Sequence, residues 1–184
     1  AGKVIYCNLF KVSDMILSVE NSNVYVIYDN KTYGSVNGVL SLEVNSPDAF
    51  TPAKLQFGNV GKEEQTYQVK LIPIPGTIGD PFKLELGQFE TKLAQGNERG
   101  VYYKFAATES GTLVIRCDSA TQDVVYDYTL YNMNTYEYVT MSETESNTVS
   151  LKVNAGDVIQ MTIGTQADKD GNPYPAATFM TTAE

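Results

Sequence analysis

Apolar residues along this chain recur at every second position in short runs, and no segment carries the 3.6-residue period of an amphipathic helix. The runs cover 4–10, 15–19, 24–28, 39–44, 54–57 and 66–72 in the first half. In the second half they cover 82–86, 101–106, 112–117, 124–131, 136–141, 148–153, 158–163 and 177–180. They are rich in β-branched and aromatic residues and bounded by Gly, Asn, Asp, Ser or Pro, which predicts strands closed by turns. Strands this short and regularly spaced predict an all-β chain of antiparallel β-sandwiches, immunoglobulin-like or jelly-roll-like.

The pattern occurs twice. Val36-Asn-Gly-Val-Leu-Ser-Leu-Glu-Val44 followed by Pro52-Ala-Lys-Leu-Gln-Phe57 matches Val153-Asn-Ala-Gly-Asp-Val-Ile-Gln-Met-Thr-Ile163 followed by Pro175-Ala-Ala-Thr-Phe179. Upstream, Val4-Ile-Tyr6 answers Val101-Tyr-Tyr103, and Tyr28-Asp-Asn-Lys-Thr-Tyr33 answers Tyr126-Asp-Tyr-Thr-Leu-Tyr131. Between the copies, Ile72-Pro-Ile-Pro-Gly-Thr-Ile-Gly-Asp-Pro81 blocks continuous strand pairing and reads as a semi-rigid linker. The expected domains are therefore 1–76, a partial copy, and 77–184, a fuller one. The segment 80–97 has no counterpart before Val4, so the first copy is expected to lack its opening strand unless 66–72 fills that edge. The second copy carries an insertion at about 134–147, rich in Tyr, Thr, Ser and Glu, where function is expected to differ. Tandem modules suit binding proteins, because linked weak sites gain avidity through effective concentration.

Composition narrows the function. Of 184 residues, 42% are hydrophobic and 19% charged, which is ordinary for a folded domain and argues against disorder. The 13 Lys and Arg against 22 Asp and Glu give a net charge of −9, which repels phosphate backbones and disfavours nucleic acid as a partner. No apolar run approaches the roughly 20 residues that span a bilayer, so no membrane insertion is expected. The start Ala1-Gly-Lys3 lacks the regions of a signal peptide, as expected of a mature or excised fragment.

Histidine is absent, which removes Ser/His/Asp and Cys/His nucleophilic devices and the commonest transition-metal ligand. Catalysis would have to rest on paired carboxylates in a deep cleft, and several of the acids fall in turns, at strand ends or in the Thr/Ser/Glu-rich insertion, so no enzyme is expected. No phosphate-binding glycine motif is present, and no cofactor is expected. Asp168-Lys-Asp-Gly-Asn172 resembles the opening of a calcium loop, but Phe179 stands where the closing Glu would fall, and turn chemistry explains the string better. The two cysteines occupy non-equivalent places: Cys117 continues the inward row Leu113, Ile115 and reads as a buried apolar residue, with a bridge to Cys7 as the lesser reading.

Tyrosine is used 13 times and tryptophan never. Tyr126, Tyr128, Tyr131, Tyr136 and Tyr138 crowd together, with Tyr174 in a later loop. A sugar ring has an apolar C–H face and a rim of hydroxyls, so its recognition calls for an exposed aromatic plate flanked by amides or charged groups. Period two sends Tyr126, Tyr128 and Leu130 to one face and Asp127, Thr129 and Tyr131 to the other, making Tyr131 the exposed plate. By the same count Tyr136 and Tyr138 share a face. The expected site stacks Tyr131, Tyr136 and Tyr138 or Tyr174 on sugar rings, with Gln166, Lys169 and Asn172 bonding hydroxyls. The competing use of these tyrosines is to fill the core and its rim.

The strings Gly100-Val-Tyr-Tyr-Lys-Phe-Ala-Ala-Thr-Glu-Ser-Gly-Thr-Leu-Val-Ile115, Val149-Ser-Leu-Lys-Val-Asn-Ala-Gly-Asp-Val-Ile159 and Asn172-Pro-Tyr-Pro-Ala-Ala-Thr-Phe179 resemble β-sandwich modules repeated in large secreted proteins of gut clostridia and ruminococci. They look most like the starch-adherence modules of the ruminococcal amylosome. The resemblance implies a non-catalytic, extracellular, cell-surface-associated module within a multidomain protein, in some members binding α-glucan. The alternative expectation is a structural spacer or protein-binding module.

Overall fold

The computed structural model describes residues 4–10, 14–46, 50–61, 63–143, 145–167 and 170–184. The chain is all-β, with no helix among these residues, and divides into two compact units, Ala1–Gly79 and Asp80–Glu184. The division falls at Gly79 rather than at Gly76, the centre of the proline-glycine stretch.

Unit 1 contains β1 (Ile5–Leu9), β2 (Met15–Glu20), β3 (Val24–Tyr28), β4 (Lys31–Gly34), β5 (Val39–Val44), β6 (Ala53–Asn59) and β7 (Val69–Pro73). They form two sheets, ordered β1-β6-β3-β4 and β5-β2-β7. Unit 2 contains β8 (Phe82–Lys83), β9 (Gly87–Leu93), β10 (Val101–Ala106), β11 (Gly111–Ala120), β12 (Tyr126–Asn132), β13 (Tyr138–Ser142), β14 (Thr148–Val153), β15 (Val158–Thr165) and β16 (Ala177–Ala183). Its sheets are ordered β13-β12-β15-β10-β8 and β14-β11-β16-β9.

In unit 2 the pairs nest: β9 with β16, β10 with β15, β11 with β14 and β12 with β13, all antiparallel. Successive strands from β9 to β12 alternate between the sheets, as do those from β13 to β16. This is one long hairpin wound into a double-layered sandwich, which is the jelly roll. Alternation drives it, since β12, β14, β15 and β16 bury every second residue. Tyr128, Leu130, Ile159, Met161 and Ile163 from one sheet and Ile115 and Phe179 from the other are fully buried in one cluster. Two hydroxyl pairs join the layers: Tyr128 Oη with Thr181 Oγ1 at 2.7 Å, and Tyr103 Oη with Thr91 Oγ1 at 2.6 Å. Cys117 is buried in this core, and both cysteines are free thiols.

Unit 1 repeats the nesting with β1–β6, β2–β5 and β3–β4, and closes it with β2–β7 and β3–β6. Strands β1 to β7 therefore answer β10 to β16. The match corrects the sequence alignment by one strand. Residues 39–44 answer 148–153, not the strand that ends near Ile163, and 53–59 answer 158–165, not 177–183. Tyr28 to Tyr33 is likewise not one strand like Tyr126 to Tyr131. It spans the end of β3, a turn and β4, with Asp29 and Asn30 at φ 49° and 58°, the two left-handed positions of a type I′ hairpin. β8 and β9 have no counterpart among the described residues of unit 1. Strand β7 pairs with β2 and holds the place of β16, not that of β9.

Candidate functional site

The outer face of the five-stranded sheet of unit 2 gathers the exposed chemistry. On β12, Tyr126, Tyr128 and Leu130 turn inward, and Asp127, Thr129 and Tyr131 turn outward, as period two requires. Register then decides which outward residues meet. Tyr131 lies opposite Tyr138 on β13 and opposite Gln160 on β15, and Gln160 lies opposite Lys104 on β10. The row Tyr138, Tyr131, Gln160, Lys104 crosses four strands, or about 14 Å at the usual strand spacing. A second row runs Thr140, Thr129, Thr162, Tyr102, with Thr129 and Thr140 hydroxyls bonded at 3.1 Å. Tyr138 is 70% exposed. Among the described residues, the polar ends of Tyr138, Tyr131, Gln160 and Lys104 have no side-chain hydrogen bond.

Tyr136 sits beside this row in the connection between β12 and β13, not on a strand, so it does not share the pleat of Tyr138. Its backbone is left-handed at φ 64° and its side chain is 74% exposed. The connection is fixed from beneath. Asn132, buried, donates from Nδ2 to Asp157 Oδ2 at 2.8 Å. Its Oδ1 accepts from the backbone N–H of Asn134 at 2.9 Å and of Thr135 at 3.2 Å. The Tyr136 N–H donates to the Asn132 carbonyl at 2.8 Å, and the Val158 N–H to Asn134 Oδ1 at 2.9 Å. Asp157 also accepts from the Asn154 N–H at 2.9 Å, and that bond, with the Asn132 amide, holds its carboxyl below the ordinary range.

The remaining expected residues lie elsewhere. Gln166 follows the far end of β15, six residues beyond Gln160 and hence about 20 Å away along the strand. It donates from Nε2 to Asp127 Oδ2 at 3.0 Å. Tyr174 and Asn172 belong to the loop before β16; Tyr174 is half-buried at φ 52°, and its carbonyl accepts from the Gly96 N–H at 2.8 Å. Lys169, and Asp168 of the calcium-like string, lie outside the described residues. Phe179, at the closing position of that string, is fully buried in the core. The structure thus brings together Tyr131, Tyr136 and Tyr138 and separates them from Gln166, Asn172 and Tyr174. Gln160 and Lys104 were missed because only strand register shows that they share a row with Tyr131.

Unit 1 carries a depression of about 520 Å³ that includes part of the equivalent sheet face, lined by Tyr6, Asn8, Asn30, Lys54 and Gln56 among others. Tyr6 lies opposite Gln56, and Gln56 opposite Ile27. Both units therefore set a glutamine in the middle of this face, on β6 and on β15. No site residue was expected in unit 1.

No protein-family model matches the chain, and no curated protein matches it.

Proposed function

We propose that unit 2 is a non-catalytic, secreted carbohydrate-binding module that holds a starch-like α-glucan against the outer face of its five-stranded sheet. The row Tyr138, Tyr131, Gln160, Lys104 carries the reading. Two neighbouring phenol rings offer apolar plates to the C–H faces of successive sugars. The amide of Gln160 both donates and accepts, and the ammonium of Lys104 donates, which matches a rim of hydroxyls. Tyr136, exposed in the connection between β12 and β13 at one end of the row, offers a third ring. Glycoside cleavage needs two facing carboxylates, and the row Tyr138, Tyr131, Gln160, Lys104 contains none, which favours holding the ligand over cleaving it.

Affinity electrophoresis through amylopectin and calorimetry with maltoheptaose test this directly. Retardation and measurable heat are expected. Tyr131→Ala and Tyr138→Ala should each weaken binding about tenfold or more, the loss of a central anchor at an interface. Neither retardation nor heat with the intact chain would end the reading.

A further inference from the structure

Among its described residues, unit 1 is a jelly roll with one strand position open. In unit 2, β9 occupies the edge beside β16 and closes the seam between the sheets on that side. Its inward residues Phe89, Thr91 and Leu93 do this. Phe89 lies 5.2 Å from the ring of Tyr103 on β10, Thr91 bonds the Tyr103 hydroxyl, and Thr91 and Leu93 are both 3% exposed. Behind that cover, Phe179 and Thr181 of β16 are fully buried.

The same positions in unit 1 are only partly covered: Tyr67, ahead of β7, lies 6.3 Å from the ring of Phe57, and no strand among the described residues lies beyond β7. Val69 and Leu71 of β7 lie opposite Val19 and Leu17, which are fully buried, so they face the core side of the sheet, yet they are 45% and 36% exposed. On the other layer, Ile5 and Cys7 of β1 lie opposite the buried Phe57 and Leu55, yet Ile5 is 58% exposed and Cys7 is half-buried. The free edge of β7 pairs with no strand among the described residues. Inward-facing apolar rows left open on both layers, beside an unpaired edge, are the features of a strand acceptor.

We propose that this seam of unit 1 accepts a peptide strand of the same chemistry as β9. The strand would run antiparallel to β7 and place apolar or aromatic side chains at alternate positions against Val69, Leu71, Ile5 and Cys7. The backbone ladder along β7 supplies affinity and the alternating side chains supply register. The site is separate from the glycan face of unit 2, and neither proposal depends on the other.

The test uses the full 184-residue chain and a synthetic peptide with the sequence of residues 86–94, Leu-Gly-Gln-Phe-Glu-Thr-Lys-Leu-Ala. Hydrogen exchange and thiol alkylation are followed as the peptide is added. Saturable one-to-one binding is expected, with amide exchange at Val69 to Ile72 and alkylation of Cys7 each slowed about tenfold or more. A scrambled peptide without the alternation should do neither, and Leu71→Lys, a change at an already exposed position, should abolish both effects. The proposal is overturned if saturating peptide leaves β7 exchange and Cys7 reactivity unchanged, or if protection appears only in β16 through exchange with β9. It is equally overturned if β7 becomes protected by concentration-dependent self-association without peptide, which would make a second copy the occupant.

Discussion

Tyr136 is the residue whose backbone costs most for what it displays. A non-glycine residue at φ 64° carries a penalty of about 1–2 kcal/mol, which glycine escapes. A large ring held there, 74% exposed, contributes little to any core. Strain beneath an exposed ring agrees with the proposed role of Tyr136 in meeting a glycan. Tyr136→Gly should leave stability to chemical denaturation unchanged or raise it by up to about 1 kcal/mol, while weakening maltoheptaose binding by calorimetry. A loss of both would show that the ring only packs. Asp118, on the other sheet, makes the opposite case of a purely structural residue. Hydrogen bonds from Thr182, then from Arg116 and Gln88, hold its carboxyl at about 2. A depressed folded-state pKa stabilises the fold above the ordinary carboxylate range, and that stability is lost as pH falls from about 4 toward about 2. Thr182→Val should move the Asp118 titration, followed by NMR, upward and leave glycan binding unchanged. At this scale the sequence was readable wherever alternation alone decides: Tyr126, Tyr128 and Leu130 inward, Tyr131 outward, Cys117 in the core.

Between elements, alternation falls silent and register takes over. Nothing within β15 announces that Gln160 lies against Tyr131, because that neighbour is fixed by which strands pair and with what offset. Turns were legible only in part. Asp29-Asn30 is a two-residue hairpin signal hidden by the tyrosine match that spans it, and the left-handed Tyr136 lies in a connection that sequence extends into strand. What orders that connection is the buried Asn132 amide, which joins the β12–β13 and β14–β15 turns through Asp157. Asn132→Ala would strip acceptors from the Asn134 and Thr135 N–H groups and a donor from Asp157. The expected cost is about 2–3 kcal/mol in denaturant unfolding. Binding should fall with it, because Tyr136 lies in the released turn and Tyr138 follows it. Full binding after this change would mean that the glycan face does not depend on the turn's geometry.

For the whole molecule, the duplication was visible in sequence but its phase was not. Short apolar runs resemble one another, so Val36 to Val44 aligns as well with the wrong strand as with the right one, and only the nested pairing settles the correspondence. The two units keep separate cores, one drawing on residues from Leu17 to Phe57 and the other on residues from Leu84 to Ala183. A ligand stabilises only the cooperative unit that binds it, by about 2.7 kcal/mol at a hundredfold excess over Kd. Differential scanning calorimetry should therefore resolve two transitions. Maltoheptaose should raise the one weakened by Ile159→Ala, in the unit 2 core, and the strand peptide should raise the one weakened by Leu40→Ala, in the unit 1 core. Despite the net charge of −9, the maltoheptaose shift should change little between about 0.05 and about 0.5 M salt, because an uncharged glycan held by rings and amides presents no charge to screen. A steep salt dependence of the maltoheptaose shift would show that charges of the protein, and not rings and amides, set the affinity. A single transition moved by either ligand would show the two units to be one cooperative body and would undo the assignment of separate roles to each.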